Sequence, residues 1–165
     1  MDPKLFRDLS KEIGRLFCMK KISLIVTSEA SGIPIAAFVS QMYGIPFVFA
    51  KKGMRSNVNA DDLYMSYVHS HTFDMDMELF ISRKWISKDD HVLIVDDVMA
   101  NGSAATALIE IVEQAQAKVV GIVTLMEKKF QGGGDRLRDR GYRVESLAII
   151  TKIDDDGTLH FEGDR

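Results

Sequence analysis

Short, nearly continuous apolar runs recur along the chain and leave room for helices between them. Five runs predict strands that are covered on both faces: Ile22–Thr27, Ile45–Ala50, His91–Val95, Val119–Met126 and Tyr142–Ile150. Apolar residues at helical spacing predict helices between these strands: Ile33–Tyr43, Ser103–Ala115 and Gly134–Arg140. Because strands that alternate with helices imply parallel pairing, the expected fold class is α/β, with a mainly parallel central sheet flanked by helices.

A further helix is predicted at the start of the chain. Asp2 can cap it, and Pro3 suits its first turn, where a backbone N–H is not needed. Its apolar residues, spaced three or four apart, are expected to form a buried stripe: Leu5, Leu9, Ile13 and Leu16.

An antiparallel hairpin interrupts the alternation of strands and helices. Its strands are predicted at Leu63–His69 and Glu78–Ser82, on either side of an acidic turn. Trp85 is expected to be buried between this hairpin and the main sheet. Near the end of the chain, Asp154–Gly157 predicts a turn before a short strand at Thr158–Phe161.

Composition narrows the classes of protein to which the chain can belong. The 165 residues fit a single domain, residues 1–165, and 46% hydrophobic residues are ordinary for a soluble protein. A net charge of −3 argues against a nucleic-acid binder, and no apolar run approaches the roughly 20 residues of a membrane span. A single cysteine, Cys18, and a first segment without a signal-peptide core favour a cytoplasmic location.

The most informative segment follows the strand at His91–Val95. Two carboxylates, Asp96 and Asp97, end that strand, and a loop of small residues leads from them into a helix: Ala100, Asn101, Gly102, Ser103 and Ala104. Gly102 permits backbone angles that turn N–H groups into a concave anion seat, and Ser103 adds a hydroxyl donor. Because the N-terminus of a helix also favours anions, the loop is a candidate phosphate seat.

The two carboxylates change what this phosphate seat can bind. They would repel a phosphate but accept hydrogen bonds from vicinal sugar hydroxyls, so the combination fits a ribose 5-phosphate. The loop alone fits equally well a capped strand-to-helix turn of any α/β fold, with Asp96 and Asp97 merely solvated. A receiver domain also has an acidic pair at a strand end, but there the pair normally closes the first strand.

The segment VLIVDDVMANGSAA resembles the phosphoribosyl-diphosphate (PRPP) signature of type I phosphoribosyltransferases, two acidic residues followed by a small-residue phosphate loop. Ser28–Gly32 follows the first strand, where this family keeps its pyrophosphate loop. Lys51 and Lys52 end the next strand, where the family often has basic residues that reach pyrophosphate. Gly53–Asp62 and the hairpin lie where the family has a flexible loop that closes over the substrate.

Within that family, the chain is similar to bacterial xanthine phosphoribosyltransferases over nearly its whole length. The similarity is carried by ANGSAA in the phosphate loop, EASGI in the pyrophosphate loop, and EKKFQGGGDRLRDRGYRVESLA at Glu127–Ala148. Adenine phosphoribosyltransferases typically have Arg at the position of Ser31 and Thr-Gly-Gly in place of residues 101–103. Within the long segment, Gly132–Gly134 is open to two interpretations, an anion site or a flexible connection before a helix.

The resemblance implies displacement of pyrophosphate from C1 of PRPP by a purine nitrogen, with Mg²⁺ as cofactor and a homodimer as the assembly. It makes Asp96 and Asp97 the catalytic pair, which holds the ribose hydroxyls and contacts Mg²⁺. It assigns the 5-phosphate to residues 100–104. The residues that it assigns to pyrophosphate are Glu29, Ala30, Ser31, Gly32, Lys51 and Lys52. Those that it assigns to the purine base are Val98, Met99 and Lys128.

The purine itself is less closely defined. Xanthine phosphoribosyltransferases carry a base-reading N-terminal hood ahead of the first long helix, whereas this chain begins almost at that helix. Only Lys128 has a counterpart among the base-reading residues, and its ammonium favours a 6-oxopurine such as xanthine, hypoxanthine or guanine. Three explanations remain open: other residues recognise the base, the activity differs from that of the family, or the start of the chain is incomplete. The alternatives are an adenine phosphoribosyltransferase and a non-catalytic, PRPP-sensing regulatory protein.

Overall fold

The structure is a computed structural model that describes residues 2–53, 59–70 and 75–163. Within these residues the helices α1 to α4 cover Pro3–Leu16, Gly32–Tyr43, Ser103–Gln114 and Gly133–Asp139. The strands β1 to β8 cover Leu24–Ser28, Phe47–Lys52, Leu63–Ser70, Met75–Ser82, His91–Met99, Lys118–Lys128, Val144–Ile153 and Leu159–Phe161. Residues 54–58 of the predicted flexible loop and 71–74 of the predicted acidic turn lie outside the described residues.

The eight described strands form one sheet in the order β3-β4-β2-β1-β5-β6-β7-β8. Strands β2, β1, β5, β6 and β7 pair in parallel, while β3, β4 and β8 pair antiparallel at the two edges. The predicted α/β class, with a mainly parallel sheet and an antiparallel hairpin, is confirmed. From β1 and β5 the strand order runs in opposite directions, so the switch point, where such sheets bind ligands, lies between the carboxyl ends of these two strands.

The central strands are covered on both faces. Helices α1 and α2 cover one face through residues such as Ile13 and Ile35, and α3 covers the other through Leu108 and Ile111. All four side chains are fully buried. Strands that are covered on both faces need continuous apolar sequence, which is the pattern that predicted them. None of the helices in the described part of the chain is both long and apolar enough to span a membrane.

Helix α1 begins where the sequence predicts. Asp2 caps it by accepting hydrogen bonds from two backbone N–H groups of the first turn. The predicted buried stripe is only partly correct, because Ile13 is fully buried whereas Leu5 is 54% exposed. Phe6, next to Leu5, packs against α2: its ring stacks on that of Phe38 at a centroid distance of 5.5 Å.

The hairpin predicted before β5 consists of β3 and β4, which pair from Leu63 opposite Ser82 to Ser70 opposite Met75. It joins the sheet edge through pairing of β4 with the end of β2. The expectation that Trp85 is buried is wrong, since its side chain is 57% exposed in a 3₁₀ turn after β4. The hairpin extends the sheet edge instead of folding over it, so it offers Trp85 little cover.

Candidate active site

The carboxyl ends of β1, β2 and β5 lie side by side, because these strands are parallel neighbours. Strand β1 ends at Ser28 and leads into α2, and β2 ends at Lys52. Strand β5 carries Asp96 and Asp97, here called the acidic pair, and leads through residues 100–102 into α3. The structure thus places the predicted pyrophosphate loop, acidic pair and phosphate loop around the switch point.

The start of α2 packs directly against the acidic pair. A Cβ added to Gly32 would collide with the Thr27 hydroxyl oxygen and lie 3.1 Å from Asp96 Oδ1. A residue without a side chain is needed for this close approach. Gly32 therefore fixes the end of the pyrophosphate loop next to the Asp96 carboxyl.

The strand that carries the acidic pair does not end there. The sequence predicts a strand over His91–Val95 that stops at the carboxylates, whereas β5 continues through both of them to Met99. Strand β6 supports this extension, since it pairs with β5 as far as Met99 opposite Glu127. Both aspartates are therefore held on a central strand and not on a loop.

Asp96 is a buried acid, and Asp97 is half-buried beside it. Asp96 is 6% exposed, and its Oδ1 accepts a hydrogen bond of 3.0 Å from the backbone N–H of Asp97. Burial, and then the negative charge of Asp97, raises the pKa of Asp96 to about 7, although the positive charge of Lys52 opposes this. A substantial fraction of the Asp96 carboxyl is therefore protonated at neutral pH.

The phosphate loop, residues 100–104, turns the chain from β5 into α3. Gly102 has a left-handed φ of 79°, which glycine adopts without strain. The N–H and the hydroxyl of Ser103 both donate to Asn101 Oδ1, at 3.1 and 2.9 Å. Asn101 thus fixes the first residue of α3, and the Gly102 N–H and the later N–H groups of the first turn are the candidate donors for a phosphate.

Helix α4 packs against the phosphate loop. The Gly133 N–H donates to the Ala100 carbonyl at 3.1 Å, and a Cβ on Gly133 would collide with Ala100 and Gly102. The guanidinium of Arg136 donates to the Asn101 carbonyl at 2.9 Å. The glycine run before α4, interpreted from sequence as an anion site or a flexible connection, therefore packs closely against a second backbone.

An ion pair that sequence reasoning missed lies behind α4, with its carboxylate buried and its guanidinium half-buried. Glu127 is 1% exposed and accepts hydrogen bonds from both terminal nitrogens of Arg138, at 2.9 and 2.7 Å, and from the Ser146 hydroxyl at 2.5 Å. Burial acts to raise the pKa of Glu127, but the bonds from Arg138 and Ser146 outweigh it and the pKa is lowered. Gly134 packs on this carboxylate, so the ion pair supports the start of α4.

The pyrophosphate loop, Ser28–Gly32, is tied to the end of β2. The Glu29 N–H donates to the Ala50 carbonyl at 3.0 Å, and Glu29 Oε1 accepts a hydrogen bond of 2.5 Å from the Lys52 N–H. The peptide bond that follows Glu29 is cis. Glu29 thus joins the loop to the strand that carries both predicted lysines.

The two lysines of β2 lie on opposite faces, because successive strand residues point in opposite directions. The charge of Lys52 acts on Asp96. Lys51 lines a separate cleft of about 530 Å³, here called the aromatic cleft. Its other lining residues are Phe47, Val48, Phe49, Leu63, Phe80, Ile81, Ser82, Lys84 and Trp85. The structure therefore brings Lys52, and not Lys51, to the acidic pair.

Two of the three residues expected at the purine have partly accessible side chains. Val98 is half-buried next to the acidic pair, and Lys128 is half-buried at the end of β6. The structure corrects the expectation for Met99, which is 2% exposed and packs in the core beside α3. Because β5 continues to Met99, this side chain packs in the hydrophobic core.

The acidic pair suits a magnesium ion that is held mainly by its substrate. Within the described residues, no three His, Cys, Asp or Glu side chains come together as a metal site. Mg²⁺ typically takes one or two protein carboxylates and completes its coordination with water and substrate phosphates. Asp96 and Asp97 provide such a donor set beside the phosphate loop.

The sequence matches the phosphoribosyl transferase domain family over residues 4–157. A xanthine phosphoribosyltransferase of Lachnoclostridium phytofermentans is 41% identical over 166 residues, which cover 100% of this chain and 85% of that protein. A xanthine phosphoribosyltransferase of Bacillus cytotoxicus is 44% identical over 161 residues, which cover 98% of this chain and 81% of that protein.

Solved structures show the same fold. The adenine phosphoribosyltransferase of Thermoanaerobacter pseudethanolicus superposes with a TM-score of 0.77 at 26% identity, over 90% of this chain and 81% of that one. The corresponding enzyme of Giardia lamblia has a TM-score of 0.78 at 23% identity, over 89% of this chain and 80% of that one.

Proposed function

The chain belongs to the phosphoribosyl transferase family and is a phosphoribosyltransferase, and on that premise we propose that it transfers the phosphoribosyl group of PRPP to xanthine or another 6-oxopurine. The observation that carries the proposal is the acidic pair on β5 beside the phosphate loop. Purine salvage by a single domain in the cytoplasm is the setting that we propose.

In this proposal the bond between C1 of PRPP and pyrophosphate breaks, a bond from C1 to a purine nitrogen forms, and the proton of that nitrogen is released to solvent. The phosphate loop binds the 5-phosphate through the first-turn N–H groups of α3. Asp96 and Asp97 accept hydrogen bonds from the ribose hydroxyls, and their negative charge stabilises the cationic sugar of the transition state. Because both acids are held on a central strand, their placement costs little reorganisation during the reaction.

The leaving pyrophosphate is taken up at the neighbouring strand ends in this proposal. Residues 29–32 and Lys52 surround it, whereas Lys51 lines the aromatic cleft on the opposite face of β2. Asp96 and Asp97 would contact Mg²⁺, which when bound neutralises negative charge on the pyrophosphate oxygens. The positive charge of Lys52 also neutralises negative charge on the pyrophosphate oxygens.

The purine is read by Val98 and Lys128 in this proposal. Val98 offers an apolar surface to the ring, and the Lys128 ammonium donates to an exocyclic oxygen. Adenine has an amino group at that position, so the ammonium disfavours it. The named relatives with 41% and 44% identity are xanthine phosphoribosyltransferases, which further supports the 6-oxopurine over adenine.

The direct test is nucleotide formation from PRPP with xanthine, hypoxanthine, guanine and adenine. We expect the three 6-oxopurines to be used in preference to adenine, and Lys128→Gln to reduce that preference. Lys129→Gln is the matched control, because the adjacent ammonium already pairs with Glu162 at 2.5 Å. Preference for adenine would overturn the assignment of the base, and PRPP binding without turnover would favour the regulatory alternative.

We also propose that the aromatic cleft is covered in a homodimer. Its rim carries Trp85, 57% exposed, and Phe49, 36% exposed, and burial of such side chains favours association. Sedimentation velocity should give a dimer for the protein and a monomer for Trp85→Glu. A monomeric parent protein would contradict this assembly and leave the transfer reaction untouched.

A further inference from the structure

We propose that Arg136 is a positioning residue for the phosphate loop: it fixes the direction of a loop peptide and adds positive charge behind the phosphate seat. This inference rests on the proposed function, because it takes the 5-phosphate of PRPP as the ligand of the loop. Arg136 lies on α4, away from the acidic pair and the phosphate loop in sequence, and nothing in the local sequence pattern marks it.

The contacts of Arg136 join two backbone segments. Its Nη2 donates to the carbonyl of Asn101 at 2.9 Å and to the carbonyl of Gln131 at 3.0 Å. The Asn101 carbonyl and the Gly102 N–H belong to one planar peptide and point in opposite directions. By holding the carbonyl, Arg136 therefore also sets the direction of the next N–H in the loop.

The glycines before α4 make room for this arrangement. A Cβ on Gly132 would lie 2.9 Å from Nη1 of Arg136, and Gly132 has a left-handed φ of 71°. The Gly133 N–H holds the Ala100 carbonyl at 3.1 Å. The phosphate loop is thus held at two successive carbonyls, one bound by a backbone N–H and the other by a guanidinium.

The charge of Arg136 is not neutralised by an acid within the described residues, where it forms no salt bridge. Arg138, two positions later, differs in this respect because it pairs with Glu127 at 2.7 Å and Asp135 at 3.0 Å. A phosphate near the acidic pair needs a compensating cation, and a guanidinium bound only to carbonyls keeps its whole charge for that purpose.

Arg140 provides a matched control at the end of the same helix. It has the same charge and is also exposed, and its guanidinium lies 5.4 Å from the centre of the Tyr142 ring. None of its contacts with the described residues joins it to the phosphate loop. Replacing either arginine changes the net charge by one, so a difference between the variants reports the contact with the loop.

The test compares Arg136→Gln, Arg136→Lys and Arg140→Gln by steady-state kinetics and by calorimetric titration with ribose 5-phosphate. We expect Arg136→Gln to raise the KM for PRPP about tenfold and to weaken ribose 5-phosphate binding equally. Its kcat and its KM for the purine should stay within about threefold of the parent values. Arg136→Lys should recover part of the affinity, and Arg140→Gln should match the parent protein.

Equal effects of Arg136→Gln and Arg140→Gln would overturn the inference, as would a fall in kcat with an unchanged KM for PRPP. A shared thermal unfolding midpoint would establish that all variants fold. The binding titration separates this inference from the proposed function. If the parent protein binds ribose 5-phosphate but modifies no purine, the proposed function fails, while the ratio of the two affinities still decides the role of Arg136.

Discussion

The two sides of the candidate site are built differently. On the ribose-phosphate side, Asp96 is buried on a central strand, and the phosphate loop is fixed by Arg136 and by the glycines of α4. On the pyrophosphate side, the lysines of β2 are exposed near the sheet edge, and Glu29 supplies the side-chain link to Lys52. The comparison indicates that the protein preorganises the part proposed to hold the transferred sugar and leaves the part proposed to meet the leaving group more open.

The largest expected effect comes from removing both charges of the acidic pair. Asp96→Asn combined with Asp97→Asn should lower kcat/KM by a hundredfold to ten-thousandfold, because two charge-assisted hydrogen bonds are each worth roughly 1.5–3 kcal/mol. Nucleotide formation from PRPP measures this loss. Asp155→Asn, at an exposed turn, is the control, and unchanged turnover in the double variant would show that the acidic pair has no part in the reaction.

Asp96 should also make the ligand-free protein less stable as the pH rises. Its pKa is about 7 in the folded chain, whereas an exposed Asp carboxyl has an ordinary pKa of 3.8, so between about pH 4 and pH 7 the carboxyl of the unfolded chain ionises first. The free energy of unfolding should therefore fall across that range, by at most about 4 kcal/mol. Denaturant titrations should show this slope in the parent protein and a flatter profile in Asp96→Asn, which should be the more stable of the two at pH 8. Parallel profiles would contradict the raised pKa.

The ion pair of Arg138 with the buried Glu127, behind α4, predicts a comparable loss of stability when the arginine is removed. Arg138→Gln would leave Glu127 buried without its partner and should cost about 3 kcal/mol. Arg140→Gln, at the end of the same helix, should change the free energy of unfolding by less than about 0.5 kcal/mol. Equal unfolding midpoints for the two variants would show that the pair contributes little.

The smallest of these effects distinguishes the two lysines of β2. Lys52→Gln should raise the KM for PRPP about tenfold, since it removes a cation that acts on the acidic pair and faces the pyrophosphate. Lys51→Gln should change it by less than about threefold, because that side chain lines the aromatic cleft. A reversed order would mean that Lys51 reaches the pyrophosphate, as it would if a second subunit completes the site.

The sequence predicted the features that depend on short-range patterns. Continuous apolar runs located the central strands, and the order Asp96, Asp97, small-residue loop and helix located the turn from β5 into α3, which remains the candidate phosphate seat. Alternation along β2 already implies that Lys51 and Lys52 lie on opposite faces of the sheet, although the family resemblance assigns both to pyrophosphate.

Features that depend on partners distant in the chain were missed. The extension of β5 to Met99 requires pairing with the longer strand β6, and Leu5 and Trp85 are exposed because of where neighbouring elements pack. The contact of α4 with the phosphate loop joins segments that no local spacing relates. In the sequence Glu127 is likewise one of several charged residues near a strand end. Only the fold brings Arg138 and Ser146 beside it.

The partly protonated carboxyl of Asp96 couples the binding of PRPP to the release of protons. When PRPP with its metal ion binds against Asp96, the carboxyl should ionise, and about half a hydrogen ion per site should be released near pH 7. The heat of PRPP binding should then vary with the ionisation enthalpy of the buffer. Affinity for PRPP should accordingly strengthen between pH 6 and pH 8.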